Sequence, residues 1–159
     1  FLNILSYGLS VHSKFFKNYS LSIHMLASNA KNPTYQNGLI STQQIDRSYN
    51  QQNYSISFIK NKIDFILFQE FGSKYAIVFR RYKSEDATDV LHNGRIHTEN
   101  KITIWFKREI NKTLDYKLQI SKRDRITKAD NDWVEELKDF SKYELLFQLS
   151  YHFTSDILY

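Results

Sequence analysis

Three groups of residues in this 159-residue chain have types and spacings that could do chemistry. Between positions 95 and 128, ten Lys and Arg stand against four acids, a local charge of +6 in a chain whose net charge is +5. Alternation over Lys101 to Lys107 separates Ile102, Ile104 and Phe106 from Lys101, Thr103, Trp105 and Lys107, so a strand there puts the second set together on one face. An aromatic ring between cations suits nucleic acid, because bases stack on the ring while ammonium groups neutralise phosphates. Lys122, Arg123 and Arg125 extend this surface and are the first choice for phosphate contacts. Residues 129–159 carry −5 and offer the opposite use of the same block. Packed across the basic strands, that segment would neutralise the cations and bury Trp105.

The second group is His92, His97 and Glu99. A two-residue hairpin at Asn93-Gly94, the pair that most readily takes up a type I′ turn, would pair His92 with Arg95 and Val90 with His97. Two imidazoles and a carboxylate would then share one face, a set able to hold a divalent metal. The same residues serve equally as the wetted face of a protruding hairpin, and no pattern in the chain calls for a cofactor.

The third group centres on Asp64. The run Ile63-Asp64-Phe65-Ile66-Leu67, a turn at Gly72-Ser73, and Tyr75-Ala76-Ile77-Val78-Phe79-Arg80 resembles the acid-bearing hairpin of the PD-(D/E)XK nuclease superfamily. The resemblance covers about 20 residues and implies a magnesium-binding role for Asp64. Val78 and Arg80 occupy the places of the family's second acid and lysine, so it implies a degenerate nuclease domain. Neither a G-x-S-x-G elbow nor a phosphate-cradling G-x-x-x-x-G-K-[ST] loop occurs. The preferred expectation is a non-enzymatic protein that binds nucleic acid or joins a larger protein or RNA assembly. A β-rich domain enclosing an apolar ligand is a further alternative, since Phe 12, Tyr 11 and Trp 2 could line a pocket.

The elements that must position these groups are mostly strands. Tyr19 to Met25, Tyr54 to Phe58, Lys101 to Lys107 and Leu114 to Ile120 alternate with period 2, and Ile63 to Phe71 reads as a central strand joined to Tyr75–Tyr82 by a hairpin. Asn37-Gly38 and Asn93-Gly94 mark further hairpins. From Asp130 the spacing of Trp133, Val134, Leu137 and Phe140 becomes helical, with Asp132 and Glu135 at its start, and Leu145, Leu146, Leu149 and Phe153 could continue it. The expected fold is a single α+β domain over 1–159: an antiparallel sheet of six to eight strands with a C-terminal helix packed on one face.

Composition bounds the rest. Four glycines, one proline and an excess of Lys over Arg point to an A/T-rich genome, which weakens any argument from Lys or Tyr content. There is no cysteine for a disulfide or thiolate. The longest apolar run, Tyr75 to Phe79, falls far short of the 18 or more residues of a membrane-spanning helix, so a soluble protein is expected, in an intracellular or organellar setting. The sequons at Asn18, Asn53 and Asn111 fit the general abundance of Asn, Ser and Thr.

Overall fold

The computed structural model describes residues 2–32 and 46–152. Seven strands, β1 (Asn3–Phe15), β2 (Tyr19–Lys31), β3 (Tyr49–Lys60), β4 (Glu70–Tyr82), β5 (Ile96–Glu109), β6 (Leu114–Lys128) and β7 (Phe140–Tyr151), form one antiparallel sheet in sequential order. A seven-residue helix, α1 (Asp132–Lys138), stands between β6 and β7. The α+β architecture of hairpins with a helix near the C-terminus is as expected.

Three differences from the expected layout have local causes. Glu70 to Tyr82 is one unbroken strand, and Gly72 lies inside it because the indole of Trp105 sits opposite: a Cβ on Gly72 would fall 2.0 Å from Trp105 Cε2. Ile63 to Gln69 is therefore connection rather than central strand, closed by the isolated Phe65–Phe68 bridge. The helix stops at Asp139, which is extended at ψ 140, and the apolar residues beyond it continue as β7. Leu145 and Leu149 fit both periods, but Tyr143, Leu145, Phe147, Leu149 and Tyr151 fit period 2, and pairing with β6 satisfies their backbone.

Asn93-Gly94 turns the chain, with Gly94 at φ 61, but as part of a longer connection over 83–95 rather than a two-residue hairpin. Here the hydroxyl and backbone N–H of Thr88 donate to Asp86 at 2.6 and 2.8 Å, holding that carboxyl below its usual range. Asn37-Gly38 and Phe153 lie outside the described residues.

The connections differ at the two ends of the sheet. At one end they are 16–18, 61–69 and 110–113; at the other they are 32–48, 83–95 and 129–139, each longer than any of the first three. Helix α1 belongs to the long-loop end. Val134 is fully buried there, Glu135 accepts from the Ala129 N–H at 2.8 Å, and Asp139 accepts from the Thr127 N–H at 2.6 Å. The helix packs on β6.

The burial pattern is inverted. Ala30 and Val134 are the buried hydrophobic residues, whereas Ser20, Ser55, His97, Thr103, Ser121 and Thr127 are buried on the sheet. The chain exposes 11754 Å², where a compact domain of 19.0 kDa exposes about 8400 Å². Most of the exposed large apolar side chains on the strands lie on one face.

Candidate functional site

Strict alternation carries the register across all seven strands and gives the sheet two chemically distinct faces. One rung of the ladder joins Val11, Ile23, Ile56, Tyr75, Ile102, Lys122 and Tyr143. Above and below it the same face carries Tyr7, Leu9 and Met25 on β1 and β2, Ile104 on β5, Leu118 and Ile120 on β6, and Leu145, Phe147 and Leu149 on β7. These side chains are largely open: Leu9 is 64% exposed, Leu145 73% and Phe147 64%. Among the described residues the face bears no charge over Leu5–Val11, Leu21–Ala27, Tyr54–Phe58, Phe71–Phe79, Ile102–Phe106, Leu114–Ile120 and Tyr143–Tyr151.

This apolar band runs obliquely to the rungs. Its centre lies between Tyr7 and Leu9 on β1 but at Phe147 on β7, and Phe147 is level with Phe15. The centre thus slides about seven residues over six strand-to-strand steps; at ~3.3 Å per residue and ~4.8 Å per strand the slant is about 40°.

Aromatic rings gather near the short connections, close to a single rung: Phe15, Tyr19 and Phe58 at successive centroid distances of 6.4 and 5.9 Å, then Phe71 and Phe106 at 5.5 Å. Cations flank the band. Lys60 lies over the Tyr19 ring, Arg108 reaches the Phe65 carbonyl, and Lys122 turns to Asp124 at 3.0 Å.

The opposite face is mainly polar, with two textures. On β1 and β2 it is built of hydroxyl and imidazole pairs: Ser6 donates to Ser28 at 2.8 Å, and the pairs Ser10–His24 and His12–Ser22 both close at 2.7 Å. From β4 to β7 it is ionic. Glu99 accepts from Arg123 at 2.6 Å and from Arg125 at 3.1 and 2.8 Å, Lys101 meets Glu144 at 3.4 Å, and Lys107 meets Asp115 at 3.6 Å. Arg80 forks onto the Gln51 carboxamide oxygen at 2.8 and 2.6 Å and lies over the Tyr49 ring, while Arg125 lies over Phe140. Trp105 donates from Nε1 to Glu70 at 2.8 Å with Lys117 over its ring.

The residues singled out from the sequence divide as follows. Lys101, Trp105, Lys107, Arg123 and Arg125 do share one face, and Lys122 lies on the other. Their neutralisation comes chiefly from Glu99, inside the basic block, with Glu144 the acidic contribution from the C-terminal segment. Trp105 is half-buried against Gly72 rather than under the helix.

His92 bonds to Asp89 at 2.9 Å and His97 to Thr127 at 2.9 Å, while Glu99 is held by its arginines, so the three do not converge. Among the described residues no group of three His, Cys, Asp or Glu is placed to hold a metal. Asp64 is exposed in the 61–69 connection and not on a strand, which removes the hairpin geometry that the nuclease resemblance requires. Arg80, Gln51 and Glu70 were not foreseen; their roles depend on cross-strand register, which alternation alone does not give.

No helix among the described residues is long and apolar enough to cross a membrane, a statement that does not extend to strands. Comparison with protein-family models, curated proteins and solved structures gives no match.

Proposed function

We propose that this chain forms part of the wall of a transmembrane β-barrel, its apolar face against lipid hydrocarbon and its polar face lining an aqueous lumen. The slant of the apolar band carries this reading. Barrel strands tilt about 35–45° to the barrel axis, so a belt that is level with the membrane must cross the hydrogen-bonding rungs at that same angle.

Four further observations agree with it. The strands are 12 to 15 residues long, where about 9–11 suffice to cross a bilayer. Polar groups are enclosed while large apolar ones are open, the reverse of a water-soluble sheet. Aromatic rings gather toward one end of the apolar face, and short connections stand at that end with long ones at the other. The outer edges of β1 and β7 would have to pair with further strands, because an unpaired edge is not tolerated in hydrocarbon. Seven antiparallel strands closing on themselves would join β1 and β7 parallel, so an odd number of additional strands completes an antiparallel wall.

The absence of cysteine makes the test direct. Single cysteines at Leu9, Ile104 and Leu145 and at Ser10, Glu144 and Gln148, spin-labelled in lipid vesicles, should report in alternation: the first set reached by dissolved oxygen, the second by an aqueous nickel chelate. An apolar-face set shielded from both probes would mean a protein partner on that face and would overturn the reading.

A second reading is favoured by the shared face of Lys101, Trp105, Lys107, Arg123 and Arg125, which suits single-stranded nucleic acid. It requires binding that weakens steeply with salt and falls on Arg123→Glu with Arg125→Glu.

A further inference from the structure

The polar face carries more cations than acids from β4 to β7, and the surplus is concentrated at one place. Gln51, Val78, Arg80, His97, Glu99, Arg123 and Arg125 line a cavity of about 220 Å³. Three guanidinium groups face one carboxylate there. Glu99 is shared by two of them and is spent: Oε1 takes Arg123 Nε at 2.6 Å, and Oε2 takes Arg125 at 2.8 and 3.1 Å. Among the described residues Arg80 pairs with no acid. Its fork is held at 2.8 and 2.6 Å by the neutral carboxamide of Gln51, which fixes the guanidinium without cancelling its charge.

The planes are held as well as the charges. Arg80 lies 4.3 Å from the Tyr49 ring centroid and Arg125 4.7 Å from that of Phe140. A guanidinium offers five donors, and among the described residues both Nη groups of Arg123 and one of Arg125 have no protein acceptor. Fixed, unspent donors arranged around a small cavity suit a planar or tetrahedral oxyanion, which accepts several N–H groups at once.

We propose that Arg80, Arg123 and Arg125 form a binding site for a small oxyanion, of the phosphate, sulfate or carboxylate class. It rests on the reading of the polar face as lumen, where it would concentrate such anions at the wall, as rings of Arg and Lys do in anion-conducting pores. Chloride, which cannot span two forks, should compete poorly.

The test is titration of inorganic phosphate into the detergent-solubilised full chain, followed by calorimetry or ³¹P line broadening at constant ionic strength. Saturable uptake is expected, weakened at least tenfold by Arg80→Gln and by Arg123→Gln and less by Arg80→Lys, which keeps the charge but loses the fork. Lys74→Gln, on the same face away from the cavity, should leave it unchanged. No saturable uptake by the unaltered chain, or equal affinity in the Arg80 and Arg123 variants, would overturn the site. The spin-label pattern separates this from the barrel reading. Retained alternation without phosphate binding sinks the site alone, and phosphate binding with an apolar face shielded from oxygen sinks the membrane reading and leaves the site.

Discussion

The two faces of these seven strands are made by neighbouring residues of the same segments, yet they obey opposite rules. Ile102 and Ile104 stand open on one side; Thr103 between them and Ser121 beside it are 8% and 1% exposed and bonded to each other at 3.1 Å. In a water-soluble sheet the apolar set is covered and the polar set wetted. Here enclosure goes to polar residues of the middle strands, such as Ser55, Thr103, Ser121 and Thr127, while hydroxyls, imidazoles and ion pairs bond to one another across the rungs. The lesson is that alternation reports a difference between two faces and is silent on which one meets water. What breaks the tie is the course of the apolar band across the rungs, a property of the assembled sheet.

The largest effect should come from placing a charge in mid-belt. Ile104→Arg, folded into lipid vesicles and unfolded with denaturant, should lose about 2–4 kcal/mol, while Gln148→Arg, at an exposed position on the polar face, should lose less than about 1 kcal/mol. Equal losses at the two positions would erase the distinction between the faces.

Next in size is the ionic half of the polar face. Glu99 is the shared acceptor of Arg123 and Arg125, and its side chain is 13% exposed. Glu99→Gln leaves two partly enclosed guanidinium groups without their carboxylate and should cost about 2 kcal/mol in the same unfolding experiment. On the hydroxyl half, Ser10→Ala removes a single hydroxyl–imidazole bond to His24 and should cost about 1 kcal/mol or less. A larger loss at Ser10 than at Glu99 would mean the charged network is solvated rather than structural.

The contact between Gly72 and Trp105 tests whether the polar face is packed at all. Gly72→Ala must displace the indole and break its bond to Glu70, at a cost of about 1–3 kcal/mol. In the background of Trp105→Ala the same change should cost little, because the space is then empty. Additive losses in the four-variant cycle would show that the two residues do not meet.

How much of this was legible beforehand follows from range. Tyr19–Met25, Tyr54–Phe58, Lys101–Lys107 and Leu114–Ile120 announced themselves as strands because period 2 is a local property. Phe140–Tyr151 did not, since Leu145, Leu146 and Leu149 also satisfy helical spacing and only pairing with β6 decides between the two. Ile63–Phe71 misled for a related reason: its apolar residues of both parities mimic a central strand but occupy an exposed connection. The shared face of Lys101, Trp105, Lys107, Arg123 and Arg125 was visible, whereas the identity of their partners was not. Glu99 neutralises arginines 24 and 26 positions away, and Gln51 holds Arg80 from 29 positions away, distances over which a sequence carries no register.

The smallest effect concerns Lys122, the single charge on the central rung of the apolar face. On β6 the band has already slid toward Leu114–Ile120, so position 122 stands at its border, and the ammonium turns away to Asp124 at 3.0 Å. Long cations at a belt's edge reach polar surroundings while their methylene stems stay in the apolar layer. Lys122→Met should therefore leave the unfolding midpoint in vesicles unchanged within error. The same cation moved along the same face should become costly with depth: Ile120→Lys moderately, and Leu118→Lys by about 2–4 kcal/mol. On β1 the order runs the other way along the rungs, with Leu9→Lys costly and Ser13→Lys tolerated, although Ser13 is level with Ile120. Costs that followed the rungs instead of the slant, equal at Ser13 and Ile120, would mean that the belt is not level with a membrane and that a flat protein surface covers this face.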